Sequence, residues 1–389
     1  MNGTSANPLP LPADRDDPAA PAILLINLDA VRENYLKLAS LAPGSECAAV
    51  VKADGYGTGA VKVASTLAQA GCRTFFVATL EEARELRAAG REEVIYVLDG
   101  LFPRTSPLFA EAQARPVLGS LEEIREWAEF CRKTGNRLPA ALHVDTGMNR
   151  LGLRENDLET LAQAGGMLEA FQPSLIISHL ACADEPEDPM NRQQKEAFDR
   201  LRAKLPPIPA GLANSGGVFL GSDFHYDMVR PGIALYGARA VNDRPNPMLP
   251  VVSLYGRIAQ VRIAERGESV GYGAARRLSA RTRIATVMTG YADGIFRRLS
   301  APDGEEGLVV YLGDKLAPVL GRISMDSMMI DVTGFDDDAA ARGGLVEIIG
   351  PHVSVDEIAE RAGTIGYEVL TSLGRRYQRI YLDAKAGAG

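Results

Sequence analysis

The sequence contains no apolar run of about 18 residues, the length a transmembrane helix needs, so a helical membrane span is excluded. It has no basic block to offset its net charge of −8, which argues against nucleic acid as a partner. Cysteine is scarce: Cys47, Cys72, Cys131 and Cys182 are scattered, with no close pair. That spacing gives no zinc or redox motif and fits reduced thiols in the cytoplasm. The four histidines, His143, His179, His225 and His352, are equally dispersed, so no metal cluster can be argued. The first stretch, Met1 to Pro21, lacks a basic start followed by an apolar core. Rich in Pro, Ala and Asp, it reads as a disordered extension and not as a secretory signal.

What is present is a chain of 389 residues, long enough for two domains or for one large barrel with an addition. From about residue 46 to 237, short β-rich runs alternate with longer stretches of helical spacing. The runs 47–52, 74–79, 93–98, 115–119, 140–145, 174–179, 209–214 and 228–236 are expected strands. Amphipathic segments such as Leu80 to Ala89, Leu121 to Arg132, Glu155 to Ala164 and Gln193 to Leu205 lie between them. Alternation of this kind implies a parallel sheet with right-handed crossovers. Eight units point to an α/β fold, a (β/α)8 TIM-like barrel. An open doubly wound sheet is disfavoured because no GxGxxG turn follows the first strand. Beyond Gly237 the runs become short and turn-bounded (Val251 to Ile263, Arg283 to Thr289, Gly307 to Leu312, Lys315 to Ile323, Ser327 to Val332, Leu345 to Ile349), as in a mostly antiparallel β domain. One helix, about Val355 to Ala362, interrupts them. The Pro-containing linker Val241 to Pro247 sets the expected boundaries: extension 1–21, barrel domain 22–245, C-terminal β domain 246–389. The strand Ala22 to Ile26 precedes the barrel pattern and is a candidate to pair with the second domain.

A barrel's chemistry sits at the C-terminal ends of its strands. Lys52 closes the first apolar run and is followed by a glycine-punctuated turn. Two readings stand for it: a strand-end lysine that snorkels to solvent, or a desolvated amine whose lowered pKa lets it form a Schiff base. His143 and Asp145, His179, Asn214 and Ser215, and Arg230 fall at the ends of four further expected strands. Asn214-Ser-Gly-Gly217 and Arg230-Pro-Gly-Ile233 suit a phosphate, through a hydroxyl and exposed backbone N–H groups. Each has a plainer reading, a helix cap for the first and a structural turn for the second. A phosphate site and a lysine in one barrel mouth suggest pyridoxal 5′-phosphate. In the second domain, Tyr272 sits between Gly271 and Gly273, a simple β-turn or a presented phenol. A cation beside such a phenol would make it a base.

Taken in order, the motifs Val51-Lys-Ala-Asp-Gly-Tyr-Gly-Thr-Gly59, Asp145-Thr-Gly-Met-Asn-Arg-Leu-Gly152, Ser178-His-Leu-Ala-Cys-Ala-Asp184, Ala213-Asn-Ser215, Val229-Arg-Pro-Gly-Ile-Ala-Leu-Tyr-Gly237, Val270-Gly-Tyr-Gly273, Gly290-Tyr-Ala-Asp-Gly294 and Ser324-Met-Asp326 resemble those of the alanine racemases. The likeness runs from about residue 22 to 381. It implies a cytoplasmic enzyme that interconverts L- and D-alanine by a two-base mechanism and supplies D-alanine for peptidoglycan. It implies Lys52 as the residue that carries pyridoxal phosphate and handles the α-proton on the D-face, with Tyr272 as the opposing base for the L-enantiomer. The resemblance also makes the protein a head-to-tail homodimer in which Tyr272 comes from the other subunit. Arg230 would face the pyridine nitrogen, supported by His179. Tyr56, Ser215 and the backbone of Gly232 and Ile233 would hold the phosphate. Arg150 would contact the cofactor's phenolic oxygen and the substrate carboxylate. Met325, through its backbone, would bind that carboxylate from the partner subunit, with Tyr291 near the entrance.

Asp54-Gly55 and Thr58 replace the usual Asn-Ala and His of the lysine loop, and His143 stands where many members have a carbamylated lysine. Histidine forms no stable carbamate, so Arg150 is to be oriented by His143, a neighbouring carboxylate or a small anion. Three rivals remain: a decarboxylase on the same barrel type, a non-catalytic pyridoxal-phosphate-binding protein, and a structural barrel without cofactor. Arg230 in place of a carboxylate opposes the first, a second domain with Tyr272 opposes the second, and colourless purified protein would support the third.

Overall fold

The computed structural model describes residues 17–383. They divide into two compact units, one of residues 31–235 and 239–248, the other of the described residues up to Ala30, 236–238 and from Leu249 onward. Most of the expected N-terminal extension lies outside the described residues. Its end, 17–21, is tied down: Arg257 Nε donates to the Ala20 carbonyl at 2.9 Å, and Arg257 N to the Pro21 carbonyl at 2.9 Å. No helix among the described residues is long and apolar enough to cross a membrane.

In the first unit the strands Ala49–Val50, Thr74–Val77, Val94–Val97, Arg115–Leu118, Pro139–His143, Gln172–Ile177 and Ala210–Gly211 form one parallel sheet in chain order. An eighth short strand, Met228–Val229, closes the ring. On one side Ala48 N donates to Val229 O and Val50 N to Pro231 O, both at 3.0 Å. On the other, Asp227 N donates to Ala210 O at 3.0 Å and Arg230 N to Ala213 O at 2.9 Å. The expected eight-stranded barrel is therefore present, with one correction of length. The last run was expected to stay extended to residue 236 and stops at Val229. Pro231 has no N–H to donate, and Leu235 N bonds Gly232 O at 2.8 Å, so Ile233–Tyr236 coils into a 3₁₀ turn.

The strands read as continuous apolar runs because both faces are covered; Phe75, Phe76, Ile95, Leu118 and Leu142 are wholly buried. The helices carry their boundaries in sequence. Thr79 and Glu82 form a capping box at the start of Leu80–Ala88. Ser120 caps Leu121–Thr134, which ends at Gly135 with φ 69° and buries Ile124, Trp127, Ala128 and Cys131 at helical spacing. Asp188 and Pro189 open Pro189–Arg202, four residues before the expected start at Gln193.

The second unit is an antiparallel sheet built around one long strand, Val252–Ala264. A register shift between Ile258 and Gln260 bends it, so its first part pairs with Leu345–Ile349 and its second with Thr282–Val287. Through Met328–Asp331, Lys315–Leu320 and Val309–Leu312 the sheet returns on itself as a six-stranded ring. Ala22–Asn27 lies antiparallel to the long strand and parallel to Gln378–Leu382. The helix Val355–Ala362 is followed by a second, Gly366–Thr371, which sequence reading did not single out.

Gly152 fixes the turn that returns onto the fifth barrel strand, where Leu153 N donates to His143 O at 2.8 Å. Its φ is +118°, and a Cβ there would lie 2.6 Å from Asp145 N and 2.8 Å from the Val144 carbonyl carbon. Gly152→Ala is expected to lose about 2–4 kcal/mol of stability, from left-handed backbone and overpacking together. Urea denaturation measures it, and an unchanged midpoint contradicts the account.

Candidate active site

Lys52 does not end a strand; it opens a turn of the wrong hand. Ala53, Asp54, Gly55 and Tyr56 all lie in the left-handed region, with φ of 53–60° and ψ of 43–50°. For a residue with a Cβ this conformation costs about 1–2 kcal/mol, so the turn stands only because its surroundings determine it. Gly55 N donates to Val51 O at 2.9 Å, Gly59 N to Asp54 O at 2.8 Å, and Ala60 N to Asp54 Oδ1 at 2.9 Å. Glu82 Oε1 accepts from Ala53 N at 2.6 Å. The result leaves Lys52 half-buried and turns Tyr56 inward, where it is buried. Burial first, and then the positive charge of Arg150, push the Lys52 amine below the usual lysine range; Asp99 and Glu82 act against that shift.

A polar cradle lies beside this turn, where the eighth strand runs along the first. Ser215, buried, accepts on Oγ from Gly232 N at 2.8 Å and from Ala234 N at 3.3 Å. A Cβ at Gly232 would strike the Tyr56 hydroxyl, so only glycine lets that phenol lie against the backbone here. Asn214 caps the short helix Ser215–Phe219, accepting from Gly217 N at 3.0 Å, so the plainer reading of Asn-Ser-Gly-Gly as a cap is also correct.

Arg230 is buried across the barrel. Its Nη1 donates to Gly211 O at 2.7 Å and its Nη2 to Ser178 O at 2.6 Å, and its guanidinium carbon lies 5.8 Å from the Phe76 ring centre. Burial lowers its pKa to about 10, which leaves it charged at neutral pH. The two histidines respond alike. His143, buried, falls to about 4 through desolvation, then through Arg230 and Arg150. His179, half-buried, is held well below the usual histidine range by desolvation and by Arg230, Arg150 and Lys52. Both are neutral at pH 7. His143 therefore cannot supply the negative charge that a carbamylated lysine would. A carboxylate shapes the Arg150 loop instead: Asp145 Oδ1 accepts from Gly147 N at 3.0 Å and Asn149 N at 3.1 Å. The wholly buried Gln194 fastens this loop to the sixth strand, donating to Thr146 Oγ1 at 3.0 Å and His179 O at 2.9 Å.

The barrel thus brings together Lys52, Tyr56, His143, His179, Ser215, Arg230, Gly232 and Ile233 at the C-terminal ends of its strands, with Arg150 on an exposed loop above. Glu82, Gly211, Ser178 and Gln194 belong with them and were not singled out from sequence. Only Glu82 had a signal, the Thr-x-x-Glu spacing of a cap. The amine, the cradle and the locked cation fit a phosphorylated aldehyde such as pyridoxal phosphate.

Tyr272, Tyr291 and Met325 belong to the β unit and are all exposed. Gly271 and Gly273, with φ of 76° and 72°, flank Tyr272; a Cβ at Gly273 would meet Arg322 Nη1 at 2.8 Å. Tyr291 and Met325 sit on two turns bonded together, Tyr291 N to Ser324 O and Ala292 N to Met325 O, both at 3.0 Å.

Because folding keeps His143 neutral, the unfolded chain binds the extra proton between about pH 6.5 and 4. Stability is complete above the upper value and is lost as pH falls through this window, by on the order of 3 kcal/mol from this residue. His179 adds a loss of the same sign. His143→Gln is expected to flatten the fall in denaturation midpoint with acid, and parallel curves for the two proteins contradict the assignment.

Comparison with known proteins gives the family. Profiles described as alanine racemase, N-terminal domain, and alanine racemase, C-terminal domain, match residues 26–240 and 251–381. A protein of Methylobacterium sp. (strain 4-46) named alanine racemase is 51% identical over 363 residues, 93% of this chain and 98% of that one. One of Mesorhizobium japonicum named alanine racemase, catabolic, is 47% identical over 365 residues, 94% of each chain. The crystal structure of alanine racemase from Bartonella henselae with covalently bound pyridoxal phosphate aligns with a TM-score of 0.89 at 41% identity, over 93% of this chain and 100% of that one. This chain belongs to the alanine racemases, a family of isomerases that depend on pyridoxal phosphate.

Proposed function

We propose that the protein interconverts L- and D-alanine with Lys52 and Tyr272 as two acid–base groups, working as a cytoplasmic homodimer that supplies D-alanine for peptidoglycan. The observation that carries this reading is the half-buried Lys52 amine, with lowered pKa, facing one mouth with the Ser215–Gly232–Tyr56 cradle and the locked Arg230.

When bound, pyridoxal phosphate supplies the electron withdrawal that makes the α-hydrogen of an amino acid acidic. Lys52 would hold it covalently. The Ser215 hydroxyl, the Tyr56 phenol and the N–H groups of Gly232 and Ile233 would take its phosphate. Arg230 would face the ring nitrogen as a donor that keeps its own proton, which would leave that nitrogen unprotonated and electron withdrawal moderate. That restraint suits a reaction which must return the proton to the same carbon. His179, neutral, supports Arg230 without adding charge. Arg150 and the Met325 backbone hold the substrate carboxylate, and Tyr291 lines the way in. Racemisation removes a proton from one face and returns one to the other, so it needs a group on each side; the Lys52 amine takes the D-face and the Tyr272 phenol the L-face. A decarboxylase of the same barrel type would need a carboxylate at the ring nitrogen, and the Arg230 guanidinium stands against it.

Tyr272→Phe is expected to lower L-alanine racemisation by about 10²–10⁴-fold, the usual worth of one acid–base group. Unimpaired turnover in a racemisation assay removes Tyr272 from the mechanism. Sharing of sites between subunits has its own check. Lys52→Ala and Tyr272→Phe, each inactive, should regain about a quarter of wild-type activity when unfolded and refolded together, because every mixed dimer carries one intact site. No recovery means that both groups act within one chain. The supply role is tested in the cell: deletion of the gene should impose a requirement for D-alanine, and growth without it assigns the enzyme to alanine breakdown.

A further inference from the structure

We propose that Glu82 is a positioning residue for Lys52: its carboxylate pins the peptide that follows the lysine and so sets where the amine points. The proposal rests on the role given to Lys52 above.

As the third residue of its helix, Glu82 need only reach back to the Thr79 N–H to complete a capping box. It does more. Oε2 accepts from Thr79 N at 3.2 Å and from Ala78 N at 2.7 Å. Oε1 is turned the other way, onto Ala53 N at 2.6 Å, which belongs to a different element. One carboxylate thus clamps the second strand's exit to the first peptide of the left-handed turn. The bond falls on the amide immediately after Lys52. A swing of that peptide plane would redirect the Lys52 side chain and release a turn that its own φ and ψ do not favour.

The demand is for two acceptor oxygens facing opposite ways, which a carboxylate provides and a carboxamide does not. Glutamine would present an NH2 either to Ala53 or to the Ala78–Thr79 pair. Charge adds a second contribution of the same residue. The groups acting on Lys52 are Arg150, which opposes its protonation, and Asp99 and Glu82, which favour it. Glu82 therefore both aims the amine and moderates its loss of basicity.

The test uses the full chain, freed of cofactor and reloaded with pyridoxal phosphate, as wild type, Glu82→Gln and Thr79→Ala. Glu82→Gln is expected to slow covalent capture at Lys52 by about ten- to a hundredfold, the scale on which a misplaced reacting group loses rate. Capture is read by borohydride trapping and peptide mass, and hydrogen exchange at the Ala53 amide should quicken in parallel. Thr79→Ala removes the cap, lowers the melting temperature and leaves both readouts within about twofold of wild type. Glu82→Asp keeps the charge but is too short to span both sides, and should reproduce the slow capture if the glutamine variant does not fold. Wild-type capture and exchange in the Glu82 variants overturn the proposal, as does equal slowing in Thr79→Ala. If the wild type captures the cofactor at another lysine, the role of Lys52 falls, and exchange at Ala53 alone decides whether Glu82 holds this turn.

Discussion

The barrel mouth gathers an excess of positive charge, much of it withdrawn from water. Lys52, Arg150 and Arg230 stand there with two imidazoles, and the cations raise the cost of protonating their neighbours. The fold relieves the cost in three ways. His143 and His179 give up their protons. Arg230, which cannot, is satisfied by the carbonyls of Gly211 and Ser178. Lys52 is left between, offset by Glu82 and Asp99 and opposed by Arg150. What remains is a site whose potential favours anions, a fitting receptor for a phosphate and a carboxylate in one ligand pair.

The same constraint explains the strained backbone. A lysine continuing along its strand would carry its amine directly out of the barrel mouth. The left-handed turn breaks that line and draws Tyr56 under Gly232. Stabilisation comes from the turn's own backbone bonds and, from outside it, from Glu82 on the helix Leu80–Ala88. Function and stability are in opposition at this point, which is where a folded protein is expected to violate its local preferences.

Much of this was legible in the residue order, and the reasons are physical. Barrel strands buried on both faces produce unbroken apolar runs, so Thr74–Val77 and Val94–Val97 could be located closely. Glycine at 55, 57 and 59 announced a turn after Lys52, but not its hand, because Ala53, Asp54 and Tyr56 carry no such signal. The short eighth strand was overread because Ile233 to Tyr236 is apolar like a strand, and only the missing N–H of Pro231 says otherwise. Glu82 was visible as the end of a capping box; its bond to Ala53, 29 residues away, depends on which strands lie side by side. Side-chain-to-backbone bonds across elements leave no periodicity behind, and so the residues that position a site are harder to read than those that occupy it.

The β unit repeats the device with different residues. Its two exposed turns, carrying Tyr291 and Met325, are joined through backbone bonds that only a glycine at 290 permits, since a Cβ there would collide with the carbonyls of Ser324 and Met325. Behind them the buried Asp293 accepts from Gly290 N at 2.9 Å and from Arg376 Nε at 2.7 Å, and Arg376 reaches on to Asp326 at 2.6 Å. Again a carboxylate that contacts no reacting atom ties a peptide of one turn to a neighbouring element. In both units groups proposed for chemistry stand on irregular backbone, at left-handed or glycine-bound turns. The turns that carry Lys52 and Tyr291 are each braced by an acidic side chain with two oxygens committed in two directions. Within each unit a carboxylate fastens the turn to its neighbours, Glu82 in the barrel and Asp293 in the β unit.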